Sequence, residues 1–204
     1  MKTKSFERKK ELLEAALDEF IVKSYEEASL NSIIRRAGIS KGTFYYHFKD
    51  KQELYFTLLR STVDAELEFM ERKLKNYSRN EDLNIFENLK LQARFGAEFA
   101  KEYPKYCLFG MMFRKEQGND IYKAAMEMLG GTTETYIEDL VEKAVKRGDF
   151  RDGVPAPFAK RMLTFLMNRY DELFDIREEE YSIDRMLHDF DLLIDFMQHG
   201  LGKK

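Results

Sequence analysis

Apolar residues along this chain recur mainly at the three-to-four spacing of α-helices, and the first third of the sequence shows it most sharply. Leu13, Ala16, Leu17 and Phe20 line one face of a helix predicted from Ser5 or Phe6 to about Val22. Leu30, Ile33, Ile34 and Ala37 follow at i, i+3, i+4 and i+7. Ser29 stands where a side-chain oxygen caps a first turn, and Gly38 where a left-handed residue ends a helix. Ser40 offers a second N-cap, and a third helix starts at Lys41. A helix, a turn of about three residues containing Gly and a second helix form the helix-turn-helix signature. On that second helix Phe44 and Phe48 share one side, while Gly42 and Tyr46 point the opposite way. Two helical turns do not hold themselves together in water, so Phe44 and Phe48 are expected to dock the segment onto the preceding helix.

The periodicity continues to the C-terminus. Asp50 followed by Glu53 resembles a capping box, and Leu54, Leu58, Val63, Leu67, Met70 and Leu74 carry a stripe through one long helix ending near Asn76. Tyr77 to Asp82 is a polar break. Helices are then predicted over 83–102, 104–115, 120–147, 157–177 and 183–199, with Pro104 in a first turn and Gly148 as a C-terminal cap. Residues 147–157 form the clearest loop of this half. Gly130-Gly131 inside the 120–147 segment marks a break, a tight packing point or a cavity wall. The predicted architecture is all-α: residues 1–49 as an N-terminal three-helix helix-turn-helix domain, 50–76 as a connecting helix, and 77–204 as a helical ligand-binding and dimerisation domain.

Composition narrows the class. The chain has 204 residues, 44% hydrophobic and 35% charged, with three Pro and eleven Gly, which suits long uninterrupted helices. It contains no apolar run of about 18 residues and no signal-peptide pattern, so a cytoplasmic protein without a membrane partner is expected. A single cysteine, Cys107, excludes an internal disulfide. The net charge of −3 is unevenly spread: residues 1–51 hold eight Lys and three Arg against six Glu and two Asp, a local +3, which leaves −6 for the remainder. Local charge governs contact with phosphates within a Debye length of about 10 Å. Met1 to Lys4 add a basic terminal arm.

Outside the Phe44–Phe48 pair, the third helix presents a cation, a hydroxyl, two phenols, an imidazole and bare backbone at Gly42. Lys and Thr reach base edges in a major groove, while Tyr hydroxyls and helix N-termini serve phosphates. The expected DNA-binding set is Ser29, Ser32, Ser40, Lys41, Gly42, Thr43, Tyr45, Tyr46, His47, Lys49 and Lys51, with Lys51 and the adjacent backbone assigned to a phosphate. Ser29 to Leu54, including Ala37-Gly38-Ile39-Ser40-Lys41-Gly42-Thr43-Phe44-Tyr45-Tyr46-His47-Phe48-Lys49-Asp50-Lys51, resembles the DNA-binding domain of tetracycline-repressor-like (TetR/AcrR) transcriptional regulators. The likeness extends back through Leu13, Ala15, Ala16 and Phe20. One departure is Ser24, which stands where the family usually has Gly before the aromatic at Tyr25.

That resemblance implies a dimer built from the last two helices, which reads a pseudo-palindromic double-stranded operator in successive major grooves. The last helix is wide in apolar surface, and the expected dimer contacts are Phe165, Leu173, Met186, Phe190, Leu193 and Met197. It also implies release from DNA by a small, largely apolar effector. The Phe- and Met-rich middle supplies Phe86, Leu89, Gln92, Phe95, Phe99, Phe109, Met112 and Met126 as its expected lining. A ligand-responsive regulator, in the first instance a repressor, is the resulting expectation. One rival is a helical adaptor that binds only protein, which leaves Lys41, Tyr45 and Tyr46 without a role. The other is an enzyme. Against it, His47, His188 and His199 lack metal-ligand spacing, and the chain has no phosphate-binding glycine loop or serine elbow. No cofactor is expected.

Overall fold

The computed structural model describes residues 8–75, 77, 83–130, 132–169 and 182–203. The arm at 1–4, most of the polar break at 77–82, Gly131, Leu173 and the expected helical stretch 170–177 lie outside the described residues. Among the described residues ten helices are present: α1 (Lys9–Phe20), α2 (Leu30–Arg36), α3 (Lys41–His47), α4 (Lys51–Lys75), α5 (Ile85–Glu102), α6 (Pro104–Lys115), α7 (Asp120–Leu129), α8 (Thr132–Arg147), α9 (Ala156–Asn168) and α10 (Ile183–Leu201). The fold is all-α. No described helix is long and apolar enough to cross a membrane.

Two compact units are formed, one from Met1–Glu68 with Glu102–Gly130, the other from Phe69–Lys101 with Gly131–Lys204. In the first, Leu12, Ala16 and Phe20 of α1 meet Ile33 of α2 and Phe44 of α3, all fully or nearly fully buried. A three-helix head of this size has a thin core. Here it is enlarged by Leu54, Tyr55 and Leu58 of α4 and by α6 and α7, which contribute Phe109, Ile121 and Ala125. The Phe109 ring lies 5.3 Å from Tyr55 and 6.1 Å from Phe20, centroid to centroid.

The second unit gathers Phe86 and Leu89 of α5, Val141 and Ala144 of α8, Leu163 of α9, and Leu193, Ile194 and Met197 of α10. Asp149, just past α8, accepts the Ile85 N–H at 2.8 Å and so caps the start of α5. An isolated bridge pairs Phe150 with Gly202.

The helix ends follow the local chemistry read from sequence. Gly38 (φ +66°) and Gly148 (φ +75°) both take left-handed backbone as helices finish. At Asp50, the side chain accepts the Glu53 N–H at 2.8 Å, while Glu53 Oε2 accepts the Lys49 N–H at 2.6 Å, so the box reaches back one residue beyond Asp50. The expected single helix over 120–147 is corrected to two. Gly130 adopts φ +73° and ends α7, so the glycine is a break, because left-handed backbone without a Cβ is cheaper there than continuing the helix.

Candidate nucleic-acid interface

The second helix of the motif, α3, is pinned from beneath and dressed from above. Phe44 is fully buried and Phe48 nearly so, their rings stacked at 5.6 Å with 17° between planes. At the start of α3, Ser40 Oγ accepts the Thr43 N–H at 3.0 Å and lies 2.9 Å from Thr43 Oγ1, which fixes the rotamer of a hydroxyl expected to meet base edges. Ser29 caps α2 in the same manner, accepting the Ser32 N–H at 3.3 Å. Outward, Lys41, Gly42 and Lys49 are exposed, Thr43 and His47 are half-buried, and Tyr45 and Tyr46 stand 58% and 81% exposed. Two phenols held this far into solvent by a buried Phe pair are poorly explained by core packing.

Gly42 separates the two uses of glycine here. At Gly38 an added Cβ would fall 2.7 Å from an Arg8 guanidinium nitrogen, which donates to the Gly38 carbonyl at 2.8 Å, and the positive φ already disfavours a side chain. At Gly42 an added Cβ would meet only Ser40 Oγ, at an ordinary 3.7 Å. Among the described residues nothing requires glycine at 42, and its absent side chain leaves the backbone open to close approach from outside.

Lys51 corrects the expectation of a phosphate contact. Its ammonium donates to the carbonyls of Tyr25 (2.6 Å), Ala28 (3.0 Å) and Glu26 (3.4 Å), and sits 4.4 Å over the Tyr25 ring. Three donors are taken by three carbonyls, so the charge is turned inward onto the α1–α2 loop. Behind the same loop lies Glu19, 3% exposed, which accepts from Lys23 at 2.6 Å and from the Ser29 N–H at 3.2 Å, with Arg36 at 3.7 Å. The Lys23 hydrogen bond holds the Glu19 carboxyl below the usual carboxylate range, against the opposing pull of burial. Sequence spacing gave no signal for either role, since Lys51 and Tyr25 are brought together only by the fold.

The other expected residues divide. Phe86, Leu89, Phe95 and Phe99 are buried in the second unit, whereas Phe109 is fully buried in the first and Met112 and Met126 are half-buried there. Phe109 is core, locked between aromatic rings. Gln92 of α5 is half-buried and hydrogen-bonded to Asn88. Of the expected dimer contacts, Phe165 is 59% exposed, and Met186 and Phe190 are half-buried. Leu193 and Met197 are corrected to core positions of the second unit; the exposed apolar groups beside them on α10 are Leu192 and Phe196. Among the described residues no group of three His, Cys, Asp or Glu is placed to hold a metal ion.

Residues 12–58 match the family model described as bacterial regulatory proteins, tetR family. The transcriptional activator FasR of Mycolicibacterium smegmatis is 36% identical over 74 residues, which cover 36% of this chain and 34% of that protein, so the match spans about a third of the relative. Across the whole fold, a TetR-family regulator from Chloroflexus aurantiacus superposes with a TM-score of 0.71 at 22% identity, covering 99% of each chain. The regulator FadR from Bacillus subtilis, solved with stearoyl-CoA, superposes with a TM-score of 0.69 at 16% identity, covering 91% of this chain and 96% of its own.

Proposed function

This chain belongs to the TetR family of bacterial regulatory proteins, and on that footing we propose that it is a cytoplasmic, homodimeric transcriptional regulator that lays α3 in the major groove of a pseudo-palindromic operator. The observation that carries the reading is the outer surface of α3. Lys41, Thr43, Tyr45 and Tyr46 surround a bare backbone at Gly42 on a helix whose other side is fixed by Phe44 and Phe48. Lys41 and Thr43 read base edges; the tyrosines, Lys49 and the flanking backbone hold phosphates. Each protomer brings one α3, and a second copy docks through the outward side of α9 and α10. An effector bound in the body lowers operator affinity, and operator weakens effector binding by the same factor.

The effector class that the comparisons favour is a long-chain acyl thioester, because FadR, a neighbour across nearly the whole fold, was solved with stearoyl-CoA. Repression remains the sign proposed here, although FasR is named as an activator. Selection of random duplexes on the purified full chain, then titration at several salt concentrations, tests the reading. A recovered pseudo-palindrome whose affinity falls steeply with salt is the expected result. Absence of any enriched sequence, with no acyl-CoA or other small molecule released on denaturing the protein, overturns it. Stearoyl-CoA and free CoA added to the protein–DNA complex then separate a thioester effector from a nucleotide-only one.

A further inference from the structure

The nine residues between α1 and α2 form the longest non-helical stretch among the described residues of the first unit, yet one of them is held at both ends. The Tyr25 N–H donates to Glu116 Oε1 at 2.6 Å, and the Tyr25 carbonyl accepts from Lys51 Nζ at 2.6 Å. Glu116 follows α6 directly and Lys51 opens α4. A single residue of loop therefore sits between an anion from one helix and a cation from another. Glu116 is 3% exposed, and its second oxygen accepts from Asn119 Nδ2 at 2.6 Å. No Lys or Arg among the described residues pairs with it. An uncompensated buried carboxylate is among the costlier groups to place in a core. A neutral amide would offer Tyr25 the same acceptor oxygen without that cost, but its bond to the peptide N–H would be weaker.

What Tyr25 leads to gives the clamp a consequence. Three residues on, the Ala28 carbonyl also accepts from Lys51, and Ser29 beyond it is the N-cap of α2, with its own N–H on buried Glu19. The path of the loop thus fixes where α2 begins. The motif's turn, pinned by Arg8 at Gly38, then fixes α3. Helix α6 reaches α2 by a second route as well: Lys105 donates to Asp18 Oδ1 at 2.6 Å, and Asp18 Oδ2 accepts from Arg36 at 3.1 Å. Lys105, Phe109 and Glu116 lie within about 40° of one another at 100° per residue, so one side of α6 makes all three attachments.

We propose that Glu116 and Lys51 are positioning residues for DNA reading: they clamp Tyr25 between the end of α6 and the start of α4, and so set the orientation of α2 and α3. This rests on the operator-binding reading above. Neither residue touches DNA. Removing either changes affinity without changing the number of phosphates neutralised.

The test measures binding of the selected duplex to the full chain by anisotropy, at several salt concentrations. Glu116→Leu, folded by circular dichroism, is expected to bind at least about tenfold more weakly, and Glu116→Gln within about threefold of the parent. Lys51→Met weakens binding with an unchanged salt slope, and the double variant loses less than the product of the single losses because both act through one residue. Folded Glu116→Leu binding within about threefold of the parent overturns the proposal, as does a Lys51→Met slope reduced by about one, the mark of a lost phosphate contact. Should Glu116→Leu fail to fold, amide exchange of Tyr25 in the unaltered chain decides: strong protection is expected, and exchange at open-loop rates overturns the clamp. An unaltered chain that binds no duplex removes the operator reading itself, a result distinct from all of these.

Discussion

The two units solve different problems with different forces. The first buries charge: Glu19 and Glu116 are each 3% exposed, and they accept backbone N–H groups 10 and 91 residues away. The second, among its described residues, has one comparable group, Asp149, whose side chain is 7% exposed, pairs with Arg147 and accepts the Ile85 N–H. Two of its other ion pairs, Lys90 with Asp195 and Lys73 with Glu98, lie at a half-exposed surface where such contacts contribute about 0–1 kcal/mol. Its core is apolar side chains against apolar side chains. Burial energy is non-directional and tolerates small rearrangements, whereas a buried carboxylate on a peptide N–H tolerates almost none. On the operator-binding proposal, a unit that presents one short helix to a groove gains from the second kind of contact.

Their exposed aromatics differ as well. Tyr45 and Tyr46 of the first unit carry hydroxyls; in the second Tyr77 does too, but the more exposed Phe158 and Phe165 of α9 and Phe196 of α10 carry none. The sharpest way to separate the units is therefore a set of three phenylalanine substitutions. Phe44→Ala removes a fully buried ring and should cost about 3–5 kcal/mol, lowering the denaturation midpoint and abolishing DNA binding together. Phe165→Ser and Phe196→Ser remove rings that already face solvent, so the isolated chain should lose little. Each should weaken self-association by about 1.5–3 kcal/mol if the ring is buried by a second copy. Sedimentation at several concentrations measures that directly. Unchanged association in both variants breaks the assignment of this surface to the dimer.

A smaller effect distinguishes roles within α3. Lys41→Ala and Thr43→Ala should each lower affinity for the selected operator by about 1–3 kcal/mol while leaving random-sequence binding nearly intact. Lys49→Ala, at an exposed phosphate-reaching position, should weaken both alike and reduce the salt slope by about one. Equal losses on operator and random duplex for all three would remove the division into base and phosphate contacts.

How far these contrasts could be read beforehand depended on whether the signal was local. The caps at Ser29 and Ser40, the helix end at Gly38 and the inward Phe44–Phe48 pair are properties of neighbours a few residues apart, and their periodicity carried them. The break at Gly130 was visible as an anomaly, but its backbone angle was not. Lys51 misled because its place beside a helix N-terminus suggested an anion, when three carbonyls of a loop more than twenty residues earlier had claimed the ammonium. Glu116 gave no signal at all, being 91 positions from its partner. Leu193 and Met197 shared a stripe with residues of both faces, and only the packed structure shows which side of α10 is covered. Long-range polar contacts leave no period in a sequence.

The least of the expected effects concerns Glu19, and it bears on whether the buried charges of the first unit matter energetically. Glu19→Gln keeps an oxygen for the Ser29 N–H but gives up the charge that answers Lys23 and Arg36, which should cost about 1–2 kcal/mol at pH 7. Because the Lys23 hydrogen bond depresses the carboxyl in the folded chain, the folded state holds fewer protons than the unfolded one once the unfolded carboxyl begins to titrate. The stabilisation is thus fully present above the ordinary carboxylate range, and is lost as pH falls through it toward the lower folded value. Other carboxylates titrate over the same interval, so the informative quantity is the difference between parent and variant. Urea denaturation at pH 7, 5 and 4 should show that gap narrowing steadily downward. A gap constant across that range would mean that the charge at position 19 contributes nothing to holding α1 to α2.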